Sequence, residues 1–200
     1  KSTVSSVLAL HTALFVPESL VLIAAPSQRQ SVELFRTILR YYRSLGRPVA
    51  AEAENTMSLA LENGSRIVSL PGDERTTRGY AAVRLLVIDE ASRVPDEFLE
   101  SVRPMLAVSG GRTIALSTPF GQRGWFWRAA TKEPGWQVVQ VRADECPRIS
   151  AEFLEGERSA MGEWRFRQEY FCEFVAGASS FIDAALIASL TPRWMKSRNC

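Results

Sequence analysis

The stretch Leu85-Leu86-Val87-Ile88-Asp89-Glu90-Ala91 decides the fold. A continuous apolar run of this kind is typical of a strand that is buried on both faces of a sheet. Such a strand delivers Asp89 and Glu90 side by side to its carboxyl end. In a nucleotide-hydrolysing site the first acid holds Mg²⁺ and the second orients the attacking water. An acidic pair after a strand is also compatible with the solvated start of a loop, so the rest of the chain has to decide.

The chain begins with Lys1-Ser2-Thr3 and continues directly into an apolar helical pattern. A phosphate-binding loop, G-x-x-x-x-G-K-[ST], ends in this way. Its Lys contacts the β- and γ-phosphates, and the hydroxyl of the next residue is a ligand of Mg²⁺. The glycines do not precede Lys1, so we interpret the chain as cut inside the loop. The alternative is a frayed N-terminus whose Ser and Thr cap a helix. The acid pair favours the loop, which makes Lys1, Ser2 and Thr3 nucleotide contacts, Ser2 and Asp89 metal ligands, and Glu90 catalytic.

The composition fits one sizeable globular domain: 200 residues, 46% hydrophobic and 23% charged. The net charge of +2 is too small to indicate nucleic-acid binding by itself, although a local basic patch remains compatible with it. Cys146, Cys172 and Cys200 lie far apart, which argues against a zinc site or a disulfide scaffold and fits a reducing compartment. His11 is the one histidine, so a histidine-based mechanism is not expected. No apolar run approaches the length of a membrane span.

Hydrophobic periodicity predicts that strands and helices alternate. The predicted helices cover residues 3–16, 27–45, 95–107, 123–131, 150–160 and 162–171, and the predicted strands cover 20–25, 57–61, 65–70, a run ending at 89, 112–117 and 136–141. This order implies a mainly parallel sheet with helices on both faces. Ligands of such folds bind beyond the carboxyl ends of the strands. The start of the first helix and the strand ends at Asp89 and Ser117 are therefore expected to meet.

The segment Ser117-Thr118-Pro119-Phe120-Gly121 follows a predicted strand. Hydroxyls in this position can hydrogen-bond a water, a phosphate or the catalytic Glu90, and so report whether a γ-phosphate is present. Ser, Thr, Pro and Gly are also turn residues, so a plain turn is the alternative interpretation.

Two groups of arginines are further candidates for phosphate contacts. Arg78, in the polar stretch before the acid strand, has the planar guanidinium that suits phosphate. The alternative is a solvated loop arginine. A second group follows helical spacing and either neutralises phosphates or forms a solvated helix face; it consists of Arg36, Arg40, Arg43 and Arg47.

Taken together, these motifs resemble the large terminase subunit of tailed bacteriophages and related viruses, the ATP-driven motor that packages DNA into an empty capsid. The resemblance runs from Lys1 to about Phe174. Residues 1–3 look like the end of its Walker A loop, and residues 87–91 look like Walker B with the catalytic Glu. Residues 117–121 are similar to its coupling motif. Weaker similarities fall at residues 25–30, 77–80, 166–170 and 173–174.

The resemblance implies an α/β P-loop NTPase fold of the RecA-like (ASCE) class over residues 1–175, truncated inside Walker A. Residues 176–200 are then a linker or the start of a nuclease domain. It implies hydrolysis of ATP with Mg²⁺ and translocation of double-stranded DNA into a procapsid. Ser117 and Thr118 would sense the γ-phosphate, and Arg78 would reach the ATP of a neighbouring subunit in a homo-oligomeric ring.

The resemblance also implies partners and a place of action. The expected partners are the portal protein and the small terminase subunit, with no membrane. The expected location is the cytoplasm of the infected bacterial host, transiently at the procapsid portal. The full-length family member carries an RNase H-like nuclease, but only Asp183 falls near where that domain would begin, so no nuclease residues are assigned.

Two alternatives remain open from the sequence. The first is a superfamily 2 helicase or related DNA translocase, which shares the acid-pair strand and a Ser-Ala-Thr-like third motif. A second RecA-like domain downstream would favour the helicase, and an acid-rich nuclease would favour the terminase. The second is an inactive prophage-derived fragment that keeps the fold without turnover, although the intact Lys1, Asp89 and Glu90 argue against decay.

Overall fold

The computed structural model describes residues 2–71 and 79–176. The strands are β1 (Leu20–Ala25), β2 (Ala51–Glu54), β3 (Ser58–Leu61), β4 (Arg66–Pro71), β5 (Val83–Asp89) and β6 (Arg112–Leu116). The helices are α1 (Ser2–Phe15), α2 (Gln28–Ser44), α3 (Asp96–Ala107), α4 (Gly124–Thr131), α5 (Ala151–Met161) and α6 (Glu163–Phe171), with single 3₁₀ turns at Ala91–Arg93 and Ala143–Glu145. No helix within the described ranges is long and apolar enough to cross a membrane.

The six strands form one sheet in the order β2-β3-β4-β1-β5-β6. Strands β4, β1, β5 and β6 are parallel, and the β2–β3 and β3–β4 pairs are antiparallel. In this register Ile23 lies opposite Ser69 on one side and Val87 on the other. Asp89 lies opposite Leu116. The ends of β5 and β6 therefore deliver their next residues to the same edge of the sheet.

Helices cover both faces of the sheet, which explains why its central strands are apolar without alternation. On one face Val21 and Ile23 pack with α1 and α2. On the other face Leu22 and Ala24 pack with α3 and α4. Every residue from Val21 to Ala25 is fully buried. The predicted fold class is thereby confirmed: a mainly parallel α/β sheet with helices on both sides.

The predicted limits of α2 agree with its caps. The Ser27 hydroxyl accepts a hydrogen bond from the Gln30 backbone N–H at 3.4 Å, as expected of a serine N-cap. Gly46 lies just beyond the helix with φ +74°, the left-handed conformation that glycine adopts most easily. The Asn63-Gly64 hairpin joining β3 and β4 is also confirmed, and the Asn63 amide donates to the Ala13 carbonyl at 2.9 Å.

One predicted strand is wrong, and one observed strand was not predicted. Both cases turn on whether a neighbouring strand is present to pair with the segment. Residues 136–141 form no strand. Val138, Val139 and Val141 are exposed there, and no strand of the described ranges pairs with this segment, so apolar content alone does not make a strand. Conversely, β2 was not predicted because its sequence, Ala-Glu-Ala-Glu, lacks β-branched and aromatic residues. It forms against the edge of β3.

The turn between α3 and β6 depends on close backbone approach at Gly111. A Cβ added there would lie 2.0 Å from the Val83 carbonyl oxygen and 2.8 Å from Leu106 Cδ2. We expect Gly111→Ala to lower the free energy of unfolding by about 3 kcal/mol, because backbone of β5 must move to relieve the clash. Denaturant unfolding measures this change.

The adjacent Gly110 provides a matched control for this substitution. It has φ +58°, and an added Cβ would meet nothing within 4 Å. Gly110→Ala should therefore cost only the left-handed strain of about 1 kcal/mol. An equal or smaller loss for Gly111→Ala than for Gly110→Ala would contradict the close approach.

Candidate active site

The acid pair lies at the carboxyl edge of the sheet with both side chains half-buried. Asp89 ends β5, and its Oδ1 accepts a hydrogen bond from the Glu90 backbone N–H at 3.1 Å. Glu90 itself has φ +50° and ψ +42°. This left-handed conformation costs a residue with a Cβ about 1–2 kcal/mol. Strain of this kind concentrates at functional sites, where the surrounding structure holds it in place.

The start of α1 reaches the same edge. The Ser2 hydroxyl donates to Asp89 Oδ2 at 3.3 Å, across a separation of 87 residues in the chain. The two carboxylate oxygens of Asp89 thus have different partners, one on its own turn and one on α1. Thr3 is exposed on the first turn of α1. The structure therefore brings together Ser2, Asp89 and Glu90, three of the residues predicted to form the site.

The donor set at this edge fits Mg²⁺. Hydroxyl and carboxylate oxygens are ligands that Mg²⁺ accepts, and it is usually held by one or two carboxylates, with waters and substrate phosphates completing the shell. Ser2 and Asp89 supply one oxygen each at 3.3 Å from one another. Within residues 2–71 and 79–176 no group of three or more His, Cys, Asp or Glu side chains is placed to hold a metal ion. A metal ion held by this donor set would need waters or phosphate oxygens to complete its shell.

The two hydroxyls of the segment after β6 have different partners. The Ser117 hydroxyl lies 2.8 Å from that of Ser92, in the turn that follows the acid pair. The Thr118 hydroxyl donates to Glu169 Oε2 on α6 at 3.0 Å. The sequence predicted one role for both hydroxyls. Their contacts differ: Ser117 lies against the turn that follows the acid pair, and Thr118 contacts α6.

Helix α6 holds the same segment at a second point. The Gly121 backbone N–H donates to Gln168 Oε1 at 3.2 Å, and Gln168 is only 5% exposed. A buried amide needs such partners. Farther along, the Gln122 amide donates to the Phe174 carbonyl at 2.9 Å. We call residues 90–93, which follow Asp89, the acid turn. Residues 117–122 are therefore fixed to the acid turn at one end, and to α6 and the chain after it at the other.

Helix α6 is itself fastened to α5. The Tyr170 hydroxyl donates to Glu157 at 2.9 Å. Burial, followed by this hydrogen bond, raises the pKa of Tyr170, so the phenol keeps its proton to a higher pH than a free tyrosine does. Sequence reasoning missed Ser92, Gln168 and Glu169, because each partner is distant along the chain. The local signals were the position of Ser92 directly after residues 87–91 and the weak family similarity at residues 166–170.

The basic stripe of Arg36, Arg40 and Arg43 on α2, with Arg47 just beyond the helix, is largely neutralised by carboxylates. Arg36 pairs with Glu33 at 2.5 Å, and Arg43 pairs with Glu54. Arg47 lies 3.6 Å from the same Glu54. A groove of about 320 Å³ runs beside these residues. These contacts favour the interpretation of a solvated helix face.

Two predicted site residues, Lys1 and Arg78, lie outside the described residues, and their roles stay predictions from the sequence. Asp183, to which no role is assigned, also lies outside them.

Comparison with known proteins identifies relatives of this fold. The family model described as terminase large subunit, T4-like virus type, N-terminal, matches residues 1–189. Among solved structures, the large terminase ATPase domain of Thermus phage P74-26 is 20% identical, with a TM-score of 0.68 over 87% of this chain and 84% of that one. No curated protein matches this chain.

A large terminase from a second thermophilic bacteriophage has the same fold. In its complex with ADP it is 14% identical to this chain, with a TM-score of 0.68 over 87% of this chain and 44% of that one. In its complex with ATP-gamma-S it is 14% identical, with a TM-score of 0.66 over 86% and 43%. The matched region thus spans less than half the length of that second terminase.

Proposed function

This chain belongs to the terminase large-subunit family, whose N-terminal model covers residues 1–189, and from this premise we propose that it is a motor domain that couples ATP hydrolysis to translocation of double-stranded DNA into a procapsid. The observation that carries the proposal is the 3.3 Å contact between Ser2 and Asp89, with Glu90 next in the chain. A hydroxyl at the start of a helix and an acid at the end of a buried strand are the parts that a P-loop NTPase uses to hold its metal and phosphates.

In the proposed mechanism each residue has one task. Ser2 and Asp89 would hold Mg²⁺, which when bound neutralises charge that develops on the phosphates. Glu90 accepts a hydrogen bond from a water and orients it for in-line attack. Lys1 contacts the β/γ-phosphates and Thr3 adds a nucleotide contact. The ADP and ATP-gamma-S complexes of the second phage terminase support nucleotide binding by this fold.

The segment after β6 would pass the loss of the γ-phosphate onward. Ser117 touches the turn that follows Glu90 through Ser92 at 2.8 Å. Thr118 touches Glu169 on α6 at 3.0 Å. A shift of the acid turn would therefore move Ser117 directly and would move α6 through Thr118.

We place the domain boundary at residue 175. The contact of Gln122 with the Phe174 carbonyl ties the chain up to that point to the site. Residues 176–200 would be a linker or the start of the nuclease domain of the full-length protein. The other proposed partners are the portal protein and the small terminase subunit. Assembly would be a ring of identical subunits, at the procapsid portal in the cytoplasm of the infected host.

The test is ATP hydrolysis by a chain extended upstream through a complete phosphate-binding loop, with and without double-stranded DNA. Turnover that rises with DNA would support a motor. Turnover that ignores double-stranded DNA but responds to single strands would favour the helicase alternative. Binding of ATP without turnover would point either to a missing partner such as the portal protein or to an inactive prophage-derived fragment. Turnover that stays absent when the portal protein is added would overturn the proposal in favour of the inactive fragment.

A further inference from the structure

The ring of Phe120 is flanked by two guanidinium groups. The Arg93 guanidinium carbon lies 4.3 Å from the ring centroid, and that of Arg123 lies 5.2 Å from it. Because both distances run to the same ring centroid, the distance between the two guanidinium carbons cannot exceed their sum. Both arginine side chains are exposed, and Phe120 is half-buried. We call Arg93, Phe120 and Arg123 the arginine clamp.

Within the described ranges, the two arginines of the clamp have no carboxylate partner. Among residues 2–71 and 79–176, no acid lies within 4.0 Å of Arg93 or Arg123. Other arginines of the same part of the chain differ in this respect. Arg128 pairs with Asp96 at 2.8 Å, and Arg103 lies 3.5 Å from Glu133. Two like charges without a counter-ion repel each other, and an anion that contacts both offsets that repulsion.

The arginine clamp is attached to both segments that carry the candidate site. Arg93 ends the turn that Glu90 begins, and its backbone N–H donates to the Glu90 carbonyl at 2.9 Å. Phe120 belongs to the segment that starts at Ser117. Arg123 directly precedes α4, whose first turn is fixed because Asp96 accepts from the Trp125 N–H at 2.7 Å. A shift of the turn at residues 90–93 or of residues 117–121 would therefore move the arginine clamp.

We propose that the arginine clamp contacts backbone phosphates of double-stranded DNA; this inference rests on the proposed function and assigns it a gripping surface. A guanidinium held over an aromatic ring by a cation–π contact still has N–H groups to donate to a phosphate. The exposed position suits a polymer that approaches from solvent. The α2 stripe is the weaker candidate, because Glu33 and Glu54 already neutralise three of its arginines.

The test is binding of a short fluorescent DNA duplex to the 200-residue chain, followed by anisotropy over a range of salt concentrations. We expect R93A/R123A to weaken binding at least tenfold at low salt. The slope of log K against log salt should fall by about 2, since each phosphate contact contributes about 0.9. R93K/R123K keeps the charge and should recover most of both the affinity and the slope.

The matched control is R29A/R40A, which removes the same charge from α2. Arg29 and Arg40 are also exposed, with no carboxylate within 4.0 Å in the described ranges. This control should lose less than twofold in affinity. Unchanged binding by R93A/R123A, or a larger loss in R29A/R40A, would overturn the clamp while leaving the motor proposal in place.

Two other outcomes would also overturn the inference. A loss of affinity for a fluorescent ATP analogue, with duplex binding intact, would mean that the arginines serve nucleotide phosphates instead. Failure of the unmodified chain to bind the duplex at all would remove the clamp together with the DNA part of the proposed function. ATP turnover in the extended chain would then show separately whether the hydrolytic part survives.

Discussion

Replacing Glu90 by Gln is expected to lower ATP turnover by about 10²- to 10⁴-fold, the range typical of a lost general base or water-orienting carboxylate. Gln keeps the size of the side chain and a carbonyl acceptor but loses the negative charge that polarises water. The contacts of Ser2 with Asp89 do not involve the Glu90 side chain, so ATP affinity should change by less than about tenfold, in contrast with the larger loss in rate. Phosphate release and binding of a fluorescent ATP analogue measure the two effects on the extended chain.

The matched control for this substitution is Glu97→Gln. Glu97 is exposed on the first turn of α3, near the acid turn in sequence. The substitution Glu97→Gln makes the same change in charge and shape as Glu90→Gln. It should leave turnover within about twofold of the parent, as is usual for an exposed surface position. Normal turnover in Glu90→Gln would sink the assignment of Glu90. Equal losses in both variants would point to a general effect of charge rather than to water orientation.

Replacing Arg78 by Ala is expected to lower turnover by at least about 10³-fold in the assembled ring and to have little effect on isolated subunits. An arginine supplied to the γ-phosphate offsets charge in the transition state and contributes a factor of about 10³–10⁵ in known phosphoryl-transfer enzymes. The proposal places this arginine on the neighbouring subunit, so its loss matters only when subunits meet. Turnover measured as a function of protein concentration separates the two cases.

Mixing of variants tests whether Arg78 acts across the subunit boundary. Arg78→Ala keeps its own Glu90, and Glu90→Gln keeps its own Arg78, so mixed rings contain some complete sites. Mixing should therefore restore part of the turnover. Arg75→Ala, in the same polar stretch, provides a control that should retain activity. If mixing restores nothing while mixed rings form, Arg78 does not act in trans.

The sequence predicted the parts of the fold that depend on local pattern. The apolar runs of β1 and β5 are buried on both faces, and the Ser27 and Gly46 signals delimit α2 as expected. The failures at residues 136–141 and at β2 have a common cause. A strand is completed by the hydrogen bonds of its neighbour, and neither the apolar content of the first segment nor the alanines and glutamates of the second report whether a neighbour is there.

The site was predictable to the extent that topology determines it. Parallel strands bring their carboxyl ends to one edge, so the approach of Ser2 to Asp89 follows from the order of elements. The contact of Thr118 with Glu169 does not follow, because 51 residues separate the two side chains. Nor do the two arginines at Phe120 follow from the sequence, because spacing along the chain does not reveal which arginines meet an acid. Arg36 and Arg43 do so, whereas Arg93 and Arg123 have no carboxylate partner within the described residues.

The left-handed backbone at Glu90 sets stability and activity against each other. At φ +50° a glycine would fold without the steric penalty that the glutamate carries. Screening variants of this protein for heat resistance alone would therefore enrich Gly at position 90 and discard the carboxylate assigned to the water. Any programme of thermostabilisation should hold this residue fixed, and libraries sorted by melting temperature should be read with this conflict in mind.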